Sequence, residues 1–226
     1  MTREVESVRD RIQRAREILQ ILKSNFSIPT LSNIVDDPFK VLIRTVISQS
    51  TAEANTRRAY ENLSRRMLVT PRRLAEADVK EIEDALRVAG LYRNKSKIMK
   101  KLSRRILEEY GGSLDFIYST PLEEARGRLM ELPGVGPKTA DIILLFSAKK
   151  PTLPVDTHVN RVSKRLGLAS RNSSYEAVRR SLQELYPPEE YFQVHMLLIA
   201  LGRRYCKALN PLCQICPVKE KCPSAK

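Results

Sequence analysis

Every cysteine in this chain lies in one short segment, at Cys206, Cys213, Cys216 and Cys222. The spacing is C-x6-C-x2-C-x5-C, and no cysteine precedes it. Four soft ligands this close together can surround one metal centre, with three short loops wrapped around it. Zinc and an iron–sulfur cluster both suit the C-x2-C pair, although zinc sites usually carry two such pairs. Two disulfides are the remaining reading, and they need an oxidising compartment. No signal peptide is visible, since the first ten residues are charged and no apolar stretch follows them. Residues 196–200 are apolar and read as a helix leading into the segment. The cysteine loop is therefore expected to pack on the protein body.

The rest of the pattern is helical. Val8, Ile12, Ala15, Leu19 and Leu22 form one apolar stripe. Further helices are expected over residues 39–47, 52–67, 79–88, 95–110, 138–147, 157–166, 174–185 and 191–205. Thr70 before Pro71 reads as a cap followed by proline in the first turn. Thr120-Pro121-Leu122-Glu123 reads as a capping box opening a helix that reaches about Glu131. Gly90 and the pair Gly111–Gly112 read as helix stops. No paired strand partners are evident, so the chain is expected to be all-α. Residues 151–154, rich in proline, read as a hinge.

The formal net charge is +14, from 40 Lys plus Arg against 26 Asp plus Glu. Such a surplus points to a polyanion, and nucleic acid fits best. An anionic membrane fits less well, because the basic residues are spread along the chain. No apolar run is long enough to span a membrane. Tryptophan is absent and aromatic residues are only 6% of the chain, which argues against broad stacking on single strands.

A second segment, Leu132-Pro133-Gly134-Val135-Gly136-Pro137-Lys138-Thr139-Ala140, sits between two expected helices. Its glycines permit a tight turn, and Val135 can anchor it inward. The amides that follow then face outward at a helix N-terminus, which is a phosphate site. An ordinary helix–turn–helix connection is the alternative. Lys138 stands just past the turn, either as a phosphate contact or as a nucleophile. A helix N-terminus disfavours an ammonium, and a free amine can attack a sugar carbon to form a Schiff base. Asp156 reads first as the cap of the helix starting at Thr157. Its carboxylate could also stabilise a cationic sugar or orient a proton. His158 reads as a cap or phosphate contact rather than a metal ligand.

Together these residues resemble the endonuclease III family of helix–hairpin–helix DNA glycosylases. The resemblance spans nearly the whole chain. It is carried by VLIRTVISQST at residues 41–51, LPGVGPKTA at 132–140, VDTHVNRV at 155–162 and the cysteine spacing. It implies that Cys206, Cys213, Cys216 and Cys222 bind a [4Fe–4S] cluster. It maps the family's catalytic lysine onto Lys138 and its catalytic aspartate onto Asp156. The implied fold has two helical lobes around a cleft: a six-helix barrel over 31–150, and a cluster-bearing lobe from 1–30 with 151–226. Gln49 and Ser50 fall in the segment that faces DNA. The family tends to place a wedge glutamine where this chain has Ser50, and here the glutamine stands one place earlier.

The resemblance implies a bifunctional glycosylase and abasic-site lyase for oxidised pyrimidines in duplex DNA. The hairpin residues Gly134, Val135, Gly136 and Thr139, with His158, Arg203 and Arg204, are the expected DNA contacts. A thymine or uracil mismatch glycosylase is the main alternative, since related mismatch enzymes can carry tyrosine where this chain has Lys138. Adenine-removing relatives commonly carry serine there and a further C-terminal domain, and the end of this sequence soon after the cysteines counts against that type. A non-catalytic DNA binder is the remaining class. A monomer acting inside the cell on damaged or mismatched duplex is expected, with no membrane association.

Overall fold

The computed structural model describes residues 7–31 and 37–225. The first six residues of the charged N-terminal stretch, and residues 32–36 within the expected barrel, lie outside them. The described residues form helices and connecting turns, with no strand among them. The helices are α1 (Val8–Asn25), α2 (Pro38–Ser48), α3 (Glu53–Arg66), α4 (Pro71–Glu76), α5 (Val79–Leu86), α6 (Tyr92–Tyr110), α7 (Phe116–Ser119), α8 (Leu122–Met130), α9 (Pro137–Phe146), α10 (Thr157–Arg165), α11 (Tyr175–Leu185) and α12 (Tyr191–Arg204).

Local chemistry sets many of the helix starts. Ser7, Asp37, Thr70, Asp78, Asp156 and Ser174 each accept a backbone N–H from the first turn of the helix that follows. A cap of this kind contributes about 1 kcal/mol. At the other end of α6, Gly111 and Gly112 both take positive φ and stop the helix, as expected.

The chain divides into two compact units, with the break after Lys150. One unit contains α2 to α9. Its core includes Leu42, Ile43, Val46 and Ile47 of α2, Leu63, Leu74, Ile82 and Leu86, and Met99, Leu102 and Ile106 of α6. Leu129 of α8 and Ile143 and Leu144 of α9 complete it. Each such side chain contributes roughly 1.5–3 kcal/mol on burial. The other unit joins α1 to α10, α11 and α12. There Ala15, Ile18, Leu19 and Leu22 pack with Val159, Val162, Val178, Leu182, Leu197, Leu198 and Leu201.

Four details depart from the sequence expectations. Val8 is 77% exposed, and Ile18 takes its place in the buried stripe of α1. Thr120 does not open a capping box; its N–H donates to the Phe116 carbonyl and closes the short α7, which periodicity could not reveal. Pro121 is consequently the N-cap of α8, with no capping side chain. Gly90 lies beyond the end of α5, and its need for glycine is steric. A Cβ there would lie 2.7 Å from the Ser50 carbonyl oxygen.

Candidate nucleic-acid interface and cysteine centre

The hairpin between α8 and α9 is anchored from beneath. Leu132 and Val135 are buried, and the Val135 N–H donates to the Leu132 carbonyl at 3.1 Å. Gly134 has φ +79°, and a Cβ on it would lie 2.5 Å from Ile98 Cγ2. Only glycine fits that position. Gly136 differs: its backbone is extended, and no atom lies within 4 Å of where its Cβ would be. It supplies no capping side chain to α9, and Pro137 follows in the first turn. The Lys138 and Thr139 amides, in the first turn of α9, have no intrahelical acceptor. They stand at the positive end of the helix dipole beside an open surface, which suits an anion.

The α9 helix is held firmly behind this end. Ala140, Ile143 and Leu144 enter the core. Asp141, fully buried, pairs with Arg126 of α8 at 3.0 Å. Lys138 is half-buried. Thr139 is only 4% exposed. The turn after α2 reaches the same hairpin, because Gln49 Nε2 donates to the Gly134 carbonyl at 3.2 Å. Ser50 beside it is exposed and has φ +49°, an unfavourable conformation for a non-glycine residue.

Asp156 is placed by its own segment. Its Oδ1 accepts the Val159 N–H at 2.7 Å, which makes it the cap of α10. Leu153 and Val155 are buried just before it. The Val155 N–H donates to the Tyr175 hydroxyl at 3.3 Å. Buried His195 donates from Nδ1 to the Pro154 carbonyl at 2.9 Å. His158 packs against Gly202, and its Nδ1 accepts from Arg161 at 3.1 Å. Burial first, with Arg161 and Arg203 adding to it against Asp156, holds the His158 pKa below its ordinary value. Arg203 and Arg204 are exposed at the end of α12, where Arg204 lies over the Tyr205 ring.

The four cysteines line one cavity of about 130 Å³. Leu201, Tyr205, Leu212 and Val218 supply apolar wall. All four are free thiols in this structure. Among the described residues no three Cys, His, Asp or Glu side chains converge to hold a single metal ion. Burial and mutual repulsion raise the Cys216 and Cys222 pKa values, so thiolates there call for a positive partner. Four sulfurs lining one cavity are a donor set that suits a soft metal centre.

Two arginines that sequence reasoning missed secure this loop. Arg161 donates to the Cys206 carbonyl at 3.0 Å and the Gly202 carbonyl at 3.1 Å. Arg165 donates to the Lys207 carbonyl at 2.6 Å and the Ala208 carbonyl at 3.0 Å, and lies 3.5 Å from Cys206 Sγ. From α1, Arg14 reaches the Leu166 carbonyl at 2.6 Å, and Arg11 reaches the Leu168 carbonyl at 2.8 Å. Part of the basic surplus is thus structural.

This helical fold, with its uncapped hairpin helix and clasped four-cysteine loop, matches a known class of DNA repair protein. The chain belongs to the HhH-GPD superfamily of base excision DNA repair proteins, whose family model matches residues 43–188. Within it, the similarity is to endonuclease III. The enzyme of Thermotoga maritima is 40% identical, over 82% of this chain and 83% of that one. A trapped endonuclease III–DNA covalent intermediate superposes with a TM-score of 0.83 at 33% identity, covering 95% of this chain and 96% of that one. A thermostable thymine-DNA glycosylase shares the fold, with a TM-score of 0.78 at 21% identity and the same coverage.

Proposed function

We propose that this base excision repair glycosylase is bifunctional, excising oxidised pyrimidines from duplex DNA and then cutting the strand at the abasic site. The observation that carries the reading is the half-buried Lys138, in the first turn of α9 beside backbone amides that have no capping side chain. The hairpin amides position the DNA backbone without reading bases. The target nucleotide must leave the stack, because a stacked base hides its glycosidic bond.

The Lys138 amine attacks C1′ and the C1′–N bond breaks, with the departing base taking a proton. Ring opening leaves an imine between Lys138 and C1′. Loss of a C2′ proton then expels the 3′ phosphate as the C3′–O bond breaks, and water releases the lysine. Asp156 assists by stabilising positive charge on the sugar and by orienting protons. The trapped covalent state of the endonuclease III relative supports a covalent route.

Cys206, Cys213, Cys216 and Cys222 would hold a [4Fe–4S] cluster. Its bonds to four thiolates would tie the loop together, taking no part in excision. Arg203 and Arg204 then contact phosphate. His158, neutral at physiological pH, offers a second polar contact. We further propose a monomer acting inside the cell, in cytoplasm or nucleoid. Among the described residues no helix is long and apolar enough to cross a membrane.

The test is single-turnover excision across duplexes containing oxidised pyrimidines, T·G, U·G, 8-oxoguanine and an abasic site, with borohydride trapping. Fastest excision of oxidised pyrimidines with a trapped adduct is expected. A preference for T·G or U·G would move the substrate class to mismatches. Iron and labile sulfide in protein purified without oxygen test the cluster, and one zinc per chain would overturn it.

A further inference from the structure

Lys95 of α6 is only 3% exposed, yet its hydrogen bonds go to no carboxylate. Its Nζ donates to the Ile47 carbonyl at 2.8 Å and to Thr51 Oγ1 at 2.6 Å. Ile47 lies in the last turn of α2, where carbonyls lack helical partners. Thr51 Oγ1 in turn donates to the Gln49 carbonyl at 3.2 Å. The Gln49 side chain carries the path on to the Gly134 carbonyl of the hairpin. One buried ammonium thus braces both sides of the turn at Gln49, Ser50 and Thr51.

That turn is also constrained from the α5–α6 connection. Ser50 is held at φ +49°, and its carbonyl occupies the space that only a glycine at position 90 leaves open. Burying an ammonium without a counter-charge costs free energy, and hydrophobic packing would serve stability better. Burial lowers the pKa of the Lys95 ammonium, in keeping with that cost. Its geometry instead suits a fixed, multi-donor peg for a strained turn.

We infer that Lys95 is a positioning residue for damage recognition, holding the Gln49–Thr51 turn in the shape that meets the flipped nucleotide. This rests on the proposed function and on the resemblance that puts Gln49 and Ser50 in the segment facing DNA. Lys95 itself is too enclosed to touch substrate. Its effect passes through Thr51 and Gln49.

The test uses Lys95→Met, Thr51→Val and the double variant in the cluster-loaded protein. Thr51→Val removes one acceptor while leaving the buried amine, so it decides the matter if Lys95→Met does not fold. Thermal melting establishes the folded state. Single-turnover excision of an oxidised pyrimidine is then compared with affinity for undamaged duplex and with borohydride trapping on a preformed abasic duplex. Excision is expected to fall about tenfold in each variant, as for loss of a charge-assisted hydrogen bond. Undamaged affinity and abasic trapping stay within about twofold, and the double variant matches Lys95→Met. Wild-type excision undiminished in folded variants would overturn the inference alone. Equal losses in all three measurements would reduce Lys95 to general stability and overturn it as well. A wild type that excises no damaged base would overturn this inference together with the proposed function.

Discussion

At the scale of single residues, Lys138 and Asp156 call for different chemistry from different surroundings. Lys138→Ala should abolish the borohydride-trapped adduct while binding to abasic duplex persists, because an imine requires an amine. A normal adduct in that variant would put the nucleophile elsewhere. Asp156 has a structural duty as the cap of α10. Asn caps nearly as well as Asp, whereas Ala forfeits about 1 kcal/mol. Asp156→Asn should therefore melt close to wild type, yet excise about a hundredfold more slowly or worse. Full activity would leave Asp156 only its cap. His158 gives a pH signature of the opposite kind. Its folded pKa lies below the ordinary 6.5, so below that pH the unfolded chain takes up a proton that the folded chain resists. Stability should fall as pH drops through that window, and His158→Gln should show a smaller loss between pH 7.5 and 5 in urea unfolding. An unchanged loss would show that other groups dominate.

At the scale of elements, the buried Arg126–Asp141 pair joins α8 to α9 on either side of the hairpin. Asp141→Ala leaves a buried guanidinium without its partner and should cost about 3–5 kcal/mol by chemical denaturation. Replacing both partners with apolar residues should cost much less, and equal costs would show that packing alone matters. The sequence carried the helices and caps well where a signal was local, as at Thr70, Asp156 and Gly111. It failed where one residue served two neighbours. Thr120 satisfies every local requirement of a cap, but closing α7 claims it first. Arg161 and Arg165 were illegible for another reason. A guanidinium reaching loop carbonyls dozens of positions away leaves no periodic trace. Lys138, Asp156 and the four cysteines stood out by spacing and resemblance, whereas Tyr175 and His195 behind Asp156 had no such mark.

At the scale of the whole molecule, a net charge of +14 on a chain with an open helix N-terminus makes duplex affinity a matter of counterion release. Affinity for undamaged duplex should fall linearly in log–log form as salt rises. Arg203→Ala with Arg204→Ala should flatten that slope while leaving the choice of base unaltered. A slope unchanged in the double variant would place the phosphate contacts elsewhere.

The division of the chain into an inner unit and one assembled from flanking segments imposes an order on biosynthesis. The stripe of α1, with Ile18, Leu19 and Leu22, leaves the ribosome early, but its partners on α10 to α12 are translated much later. The span of α2 to α9 already holds its own core and can condense while α1 still waits. The cysteines come later still, behind the helices that supply Arg161 and Arg165. The cysteines of the proposed cluster would therefore emerge only after the helices that hold their loop. A ribosome stalled between the two units leaves an orphaned amphipathic helix, an obvious handle for a chaperone or a protease.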